Sequence, residues 1–246
     1  MKLMTGIILS FIVGHLAIWA GELIRVPIIS KAQDRPFVFE LNVSDGSVEI
    51  HGTDDGDYYW EAEIDDKQEG FLQKVMKANP EENRLRLRFG EKIDVDSFRA
   101  CVPPNTIARV RAIDGDVTVQ GLLEESVVEA VDGDVTLVDV GPDVTVNAVD
   151  GDIDVSLRRD FDGDGRMSLA SVDGDIAIKL YSKLGFKAKV STLDGDLDVD
   201  ETFETKVGPG KWMQGDGSEA VVTHGDERVK IDASTVDGDV EIALNE

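Results

Sequence analysis

Ala112-Ile113-Asp114-Gly115-Asp116-Val117-Thr118-Val119 returns as Ala130-Val131-Asp132-Gly133-Asp134-Val135-Thr136-Leu137, and again as Ala148-Val149-Asp150-Gly151-Asp152-Ile153-Asp154-Val155. Three more copies begin their Asp-Gly-Asp at Asp173, Asp194 and Asp237. The steps between successive copies are 18, 18, 23, 21 and 43 residues, the last close to twice 21. A unit that recurs at this length marks a repeat architecture.

The copies agree beyond the acidic tripeptide. Two residues before it sits a small side chain (Ala112, Ala130, Ala148, Ser171, Thr192, Thr235), then a branched apolar one (Ile113, Val131, Val149, Val172, Leu193, Val236). After it comes apolar-x-apolar alternation, as in Val117-x-Val119 and Ile176-x-Ile178, the pattern of a strand with one buried face. Asp-Gly is a corner, because Gly accepts positive φ and Asp can bond nearby backbone. Two geometries fit: a series of hairpins, or a solenoid whose corners stack. A hairpin meander needs turn chemistry of similar strength at both ends of each strand, and the second turn here is weak. The steady period therefore favours an all-β fold, a β-solenoid of roughly 18–23-residue coils with Asp-Gly corners, preceded by a less regular β-rich region. A degenerate copy at Asp45-Gly46-Ser47-Val48-Glu49-Ile50 places the start of the pattern before the regular array.

The chain has 246 residues, 50 acidic and 25 basic, for a formal net charge of −25. Such a charge repels phosphates, which argues against nucleic acid and against an anionic membrane surface. Cations or a cationic partner are the natural counterparts, with solubility alone as the plainer reading. Aromatics are only 6%, so the core must rest on aliphatic side chains. Lys2 followed by the apolar stretch Ile7 to Trp19 reads as a signal peptide over 1–20, with Ala20 before a cleavage point. Residues 21–35 read as a linker, 36–105 as an irregular β region and 106–246 as the regular array, one continuous solenoid with 36–105. The mature protein is then expected to be exported, periplasmic or at the cell surface, without membrane insertion after cleavage. Within 36–105, Phe71 to Asn79 reads as one short helix. The array degrades between Asp200 and Ser234, as though one coil had lost its corner. The sole cysteine, Cys101, reads as a buried structural thiol.

With its early DGSVEIHG segment (45–52), its VPP junction (102–104) and its IDGDVTV and VDGDVTL strands (113–119, 131–137), this layout resembles a bacterial putative-adhesin family of β-strand-repeat domains of unknown function. The resemblance spans Phe37 to Leu244. It implies a secreted or envelope-associated β-solenoid, in some members tied to envelope-stress signalling, and it transfers no catalytic residues.

The best motif for chemistry is Asp160-Phe161-Asp162-Gly163-Asp164-Gly165-Arg166-Met167. Alternating carboxylates in a tight turn, with the carbonyl of Arg166 following, match the first half of a Ca2+ loop. Ser171 stands where an EF-hand has its bidentate Glu, so Asp173 is the candidate to complete the shell. The alternative is a solvated acidic turn. Stacked corners also put equivalent Asp residues about 4.8 Å apart, where like charges repel by ~1 kcal/mol per pair in water. Either turn amides or bound cations must offset that. Among the histidines, His51 stands alone and only His224-Gly225-Asp226 hints at acid-base work. Trp60 and Trp212 are either sugar platforms or core residues. The expected function is a non-enzymatic, adhesin-like module binding an envelope protein or polysaccharide through outward residues such as Thr118, Thr136, Asp154 and Asp198. The rivals are a carbohydrate-active β-helix enzyme and an envelope-stress sensor.

Overall fold

The computed structural model describes residues 22–28, 35–64, 71–79, 82–90, 93, 95–209 and 218–245. From the N-terminus come β1 (Glu22–Pro27), β2 (Phe37–Asp45), β3 (Ser47–Gly52), β4 (Tyr59–Ile64), the helical turn α1 (Phe71–Val75), β5 (Met76–Asn79), β6 (Arg84–Arg88) and β7 (Val95–Val102). The regular array supplies β8 (Thr106–Asp114), β9 (Val117–Gln120), β10 (Ser126–Glu129), β11 (Val135–Val140), β12 (Val144–Asn147), β13 (Ile153–Leu157), β14 (Gly165–Ala170) and β15 (Ile176–Leu180). The C-terminal part holds β16 (Phe186–Asp194), β17 (Leu197–Val199), β18 (Glu204–Pro209), β19 (Ser218–His224), β20 (Val229–Asp237) and β21 (Val240–Leu244).

Each Asp-Gly-Asp carries the chain from a strand of one sheet to a strand of a second sheet facing it. Pairing through the array is parallel: β8-β10-β12-β14 on one side, β9-β11-β13-β15 on the other. Hairpins would pair antiparallel, so the solenoid is the geometry adopted. The register stacks like on like, with Val117, Val135, Ile153, Ile176 and Val240 in successive rungs. All five are buried, facing Ala112, Val128, Val146 and Leu169 of the opposite sheet. Burying one such aliphatic side chain contributes about 1.5–3 kcal/mol, and the repeat delivers several per coil.

The ends of the stack depart from chain order. The full sheets run β1-β4-β7-β3-β9-β11-β13-β15-β21-β17 and β18-β19-β16-β20-β14-β12-β10-β8-β2-β6-β5. The last coil, β20-β21, lies between the coil of β14-β15 and that of β16-β17. Likewise β2-β3 lies between β6-β7 and β8-β9. Antiparallel strands extend both sheets at one end, β1 and β4 beyond β7 and β5 beyond β6, and one sheet at the other, β19 and β18 beyond β16, while β17 ends its sheet as a short parallel strand. The few large rings sit at these ends. Trp60, Phe89 and Phe98 cluster at one, and Phe186, Phe203 and His224 at the other.

Several expectations change. The long step before Asp237 is not a coil that lost its corner, because β18 and β19 within it pair antiparallel and extend the sheet beyond β16. Part of the expected linker is β1. The helix is one turn, and Met76–Asn79 is strand. Cys101 is half-buried on the outward side of β7, not in the core. Trp60 is fully buried and offers no sugar platform. The expected signal peptide and Trp212 lie outside the described residues. Among the described residues no helix is long and apolar enough to cross a membrane.

Candidate functional site

The Asp-Gly-Asp corners lie in one line along the stack. Their first aspartates pair in the order Asp45, Asp114, Asp132, Asp150, Asp173, Asp237, Asp194. Each central glycine has positive φ, from +99° at Gly46 to +158° at Gly195. A Cβ on Gly151 would meet the Gly133 carbonyl oxygen at 2.4 Å, and one on Gly174 would meet that of Gly151 at 2.3 Å. Only glycine lets the coils approach this closely while the backbone turns left-handed.

The two aspartates of a corner do different work. The second accepts a hydrogen bond from the backbone N–H of its counterpart in the adjoining coil. Asp116 accepts from Asp134 (3.0 Å), Asp134 from Asp152 (2.9 Å), Asp152 from Asp175 (2.8 Å), Asp175 from Asp239 (2.7 Å) and Asp239 from Asp196 (2.7 Å). These charge-assisted bonds offset the repulsion between stacked carboxylates. Where the small residue before the corner carries a hydroxyl, it donates to a neighbouring glycine carbonyl: Thr192 to Gly238 at 2.8 Å and Thr235 to Gly174 at 3.0 Å. The first aspartates Asp114, Asp132, Asp150, Asp173 and Asp237 are exposed, with no side-chain partner among the described residues.

The expected calcium turn is arranged around arginines. Arg158 pairs with Asp160 and holds its carboxyl below the usual range. Arg228 pairs with Asp162 and with Asp226. Arg166 donates from its side chain to Asp232 (3.3 Å) and from its N–H to Asp143 (3.1 Å). Asp164 is exposed beside them, while Asp173 lies beyond the far end of β14, a strand's length of ~20 Å away. Asp173 is therefore not brought to the turn. Among the described residues no three His, Cys, Asp or Glu side chains are grouped to hold a metal ion. His224 meets the Ser182 carbonyl at 2.9 Å and packs on Phe186 and Phe203. His51 lies 3.3 Å from Glu49.

Thr118, Thr136, Asp154 and Asp198 do share one outward row, with Glu49, Ala177 and Glu241. On the opposite sheet, Ser168, Ala170, Ser191 and Ser234 floor a shallow depression of about 250 Å³.

This is the pattern of a known repeat family: residues 106–243 match the Toastrack DUF4097 model. The chain belongs to that family. The Toastrack match covers more than half the chain and the whole regular array. A putative cell adhesion protein from Clostridium sporogenes shares the fold at 10% identity, with a TM-score of 0.52 over 92% of this chain and 100% of its own. A putative adhesin from Bacteroides fragilis aligns at 12% identity over 91% of this chain and 98% of its own, with a TM-score of 0.32. No curated protein sequence matches the chain.

Proposed function

We propose that this Toastrack protein is an exported, non-catalytic binding scaffold of the bacterial envelope, using its outer sheet faces as an adhesin does. The observation that carries the reading is the use made of the repeated acids. One aspartate per corner is bonded to the next coil's backbone, and the others form a column with no converging partner. Catalytic carboxylates in glycoside cleavage instead face one bond across a fixed gap. The flat outward row through Thr118, Thr136, Asp154 and Asp198 offers extended contact. Similarity in fold to a protein named for cell adhesion supports an envelope setting.

The test pairs retention with turnover. Purified protein is incubated with intact bacterial cells and with isolated envelope polysaccharide, and bound protein and released sugar ends are both measured. Retention without release, weakening gradually as the outward residues are replaced, is the expected result. Sugar release abolished by a single acid-to-alanine change would establish the β-helix enzyme in its place. N-terminal sequencing of secreted protein, expected to begin at Gly21, tests export. Calcium enters this proposal only at the Asp160–Asp164 turn, where the ion must displace Arg158 and Arg228. Calorimetry at millimolar calcium, with the Asp162→Ala, Asp164→Ala variant as control, reads whether it does; absence of heat removes calcium from the proposal.

A further inference from the structure

The branched residue just before five of the six Asp-Gly-Asp corners is exposed. Ile113, Val131, Val149, Val172 and Val236 are 44–49% accessible, although the small residues beside them are buried. Parallel registry aligns them, with half-buried Leu193 as the sixth member, in the order Ile113, Val131, Val149, Val172, Val236, Leu193. The result is an apolar stripe ~24 Å long at about 4.8 Å per coil. Contiguous exposed apolar surface of this kind marks an interaction site.

The surroundings of the stripe select its occupant. On one side runs the column of partnerless first aspartates, Asp114 to Asp194. On the other runs the row Arg111, Glu129, Asn147, Ala170, Ser234 and Ser191, in which Arg111 and Glu129 pair with each other and the remaining four are short side chains that include part of the floor of the shallow depression. A second copy of this chain carries the same net charge of −25 and is repelled from this acidic face. An anionic lipid surface is repelled in the same way. A partner must therefore combine apolar and cationic groups at a repeat near the coil spacing. An α-helix advances 5.4 Å per turn, against about 4.8 Å per coil, and drifts by only about half a coil over four turns. A strand repeats each face every ~6.8 Å and falls out of step at once.

We infer that the stripe and its aspartate column form a docking surface for a cationic amphipathic helix of about sixteen residues, the length that covers ~24 Å. Its apolar edge covers Val131, Val149 and Val172, the short residues admit its backbone, and its lysines or arginines face the aspartates. This deepens the scaffold reading and rests on it.

The probe is a fluorescent 18-residue peptide of leucine and lysine with leucine at helical spacing, compared with a scrambled isomer lacking an apolar face. Fluorescence anisotropy is expected to show binding of the amphipathic peptide with at least about tenfold preference over the isomer, a difference of ~1.4 kcal/mol. Val131→Ser, Val149→Ser, Val172→Ser together should weaken it about tenfold, as should Asp132→Asn, Asp150→Asn, Asp173→Asn, with circular dichroism unchanged and the melting temperature not lowered. Equal binding of both peptides, or indifference to the valine triple, reduces the effect to bulk attraction and overturns the inference. So does a stripe-dependent dimer in sedimentation. In those cases the scaffold reading still stands if cells retain the protein, whereas sugar turnover by the same sample removes the reading itself.

Discussion

Within one corner, two aspartates of the same motif have opposite energetic roles. Asp134 accepts from the Asp152 N–H at 2.9 Å, whereas Asp132 has no side-chain partner among the described residues and faces like charges above and below. Asp134→Ala is expected to cost about 1 kcal/mol, the usual net worth of such a bond. Asp132→Asn should leave the melting temperature unchanged or raised, because it relieves repulsion and breaks no bond. Thermal unfolding of the two variants side by side decides it; an equal loss in both would mean that the carboxylates share one role. The glycine between them is more demanding. Gly133 has φ +128°, and a Cβ there would lie 2.6 Å from the Gly115 carbonyl carbon and oxygen. Gly133→Ala should therefore lower stability by about 2–4 kcal/mol through strain and steric displacement. The exposed Gly90 has nothing within 4 Å of a built Cβ, and Gly90→Ala should fall within about 0.5 kcal/mol of the parent.

Among the elements, the last coil matters more than its place in the chain suggests. β20 pairs with β14 on one side and β16 on the other, and β21 pairs with β15 and β17. In a solenoid wound in chain order, trimming the C-terminus shortens one end and leaves the rest stacked. Here deletion of residues 229–246 removes an interior coil, uncovering Leu169, Ile178 and Val190 together. The expected outcome is loss of the cooperative thermal transition, with recovery when a peptide of residues 229–246 is added in trans. A truncated protein that melts as sharply as the parent would mean that β16-β17 closes directly onto β14-β15. The antiparallel strands beyond β7, β6 and β16 serve a different purpose: they cover parallel edges that would otherwise recruit another chain, while the edge left at β17 is only three residues long.

Across the whole molecule, charge opposes the stacking that the aliphatic core drives. The net charge is −25, and the first-aspartate column concentrates seven carboxylates along one edge. Screening at a Debye length of about 8–10 Å weakens repulsion between exposed neighbours. The melting temperature should therefore climb with added sodium chloride, and climb less in the Asp132→Asn, Asp150→Asn, Asp173→Asn variant. A flat response in the parent would mean that the column is neutralised by other means. Basic residues are placed unevenly as well. Arg84, Arg86, Arg109 and Arg111 share the outer face at the N-terminal end of one sheet, where Glu40, Glu125 and Glu129 balance them. Hydrogen bonding from Arg86, the largest influence, holds Glu40 below its ordinary range.

Much of this was written locally. Apolar alternation at a fixed period predicts coils with inward Val117, Val135 and Ile153, because a side chain two residues on must face the same way. Glycine at the corner and small residues two before its first aspartate follow from sterics that one repeat already contains. Neither the stacking order nor the face of each residue beyond the strand is local. Ile113 and most of its counterparts are branched and apolar, yet the corner turns them outward. The 43-residue step reads as a lost coil, yet β18 and β19 cap the stack and return the chain to an interior gap. Asp160, Asp162 and Asp164 read as one ion-binding turn, but Arg158, two residues away, pairs with Asp160, and Arg228 arrives from a distant part of the chain to pair with Asp162. Repeat geometry is encoded in each unit, whereas partner choice among equivalent strands depends on which edge is left uncovered once the others have packed.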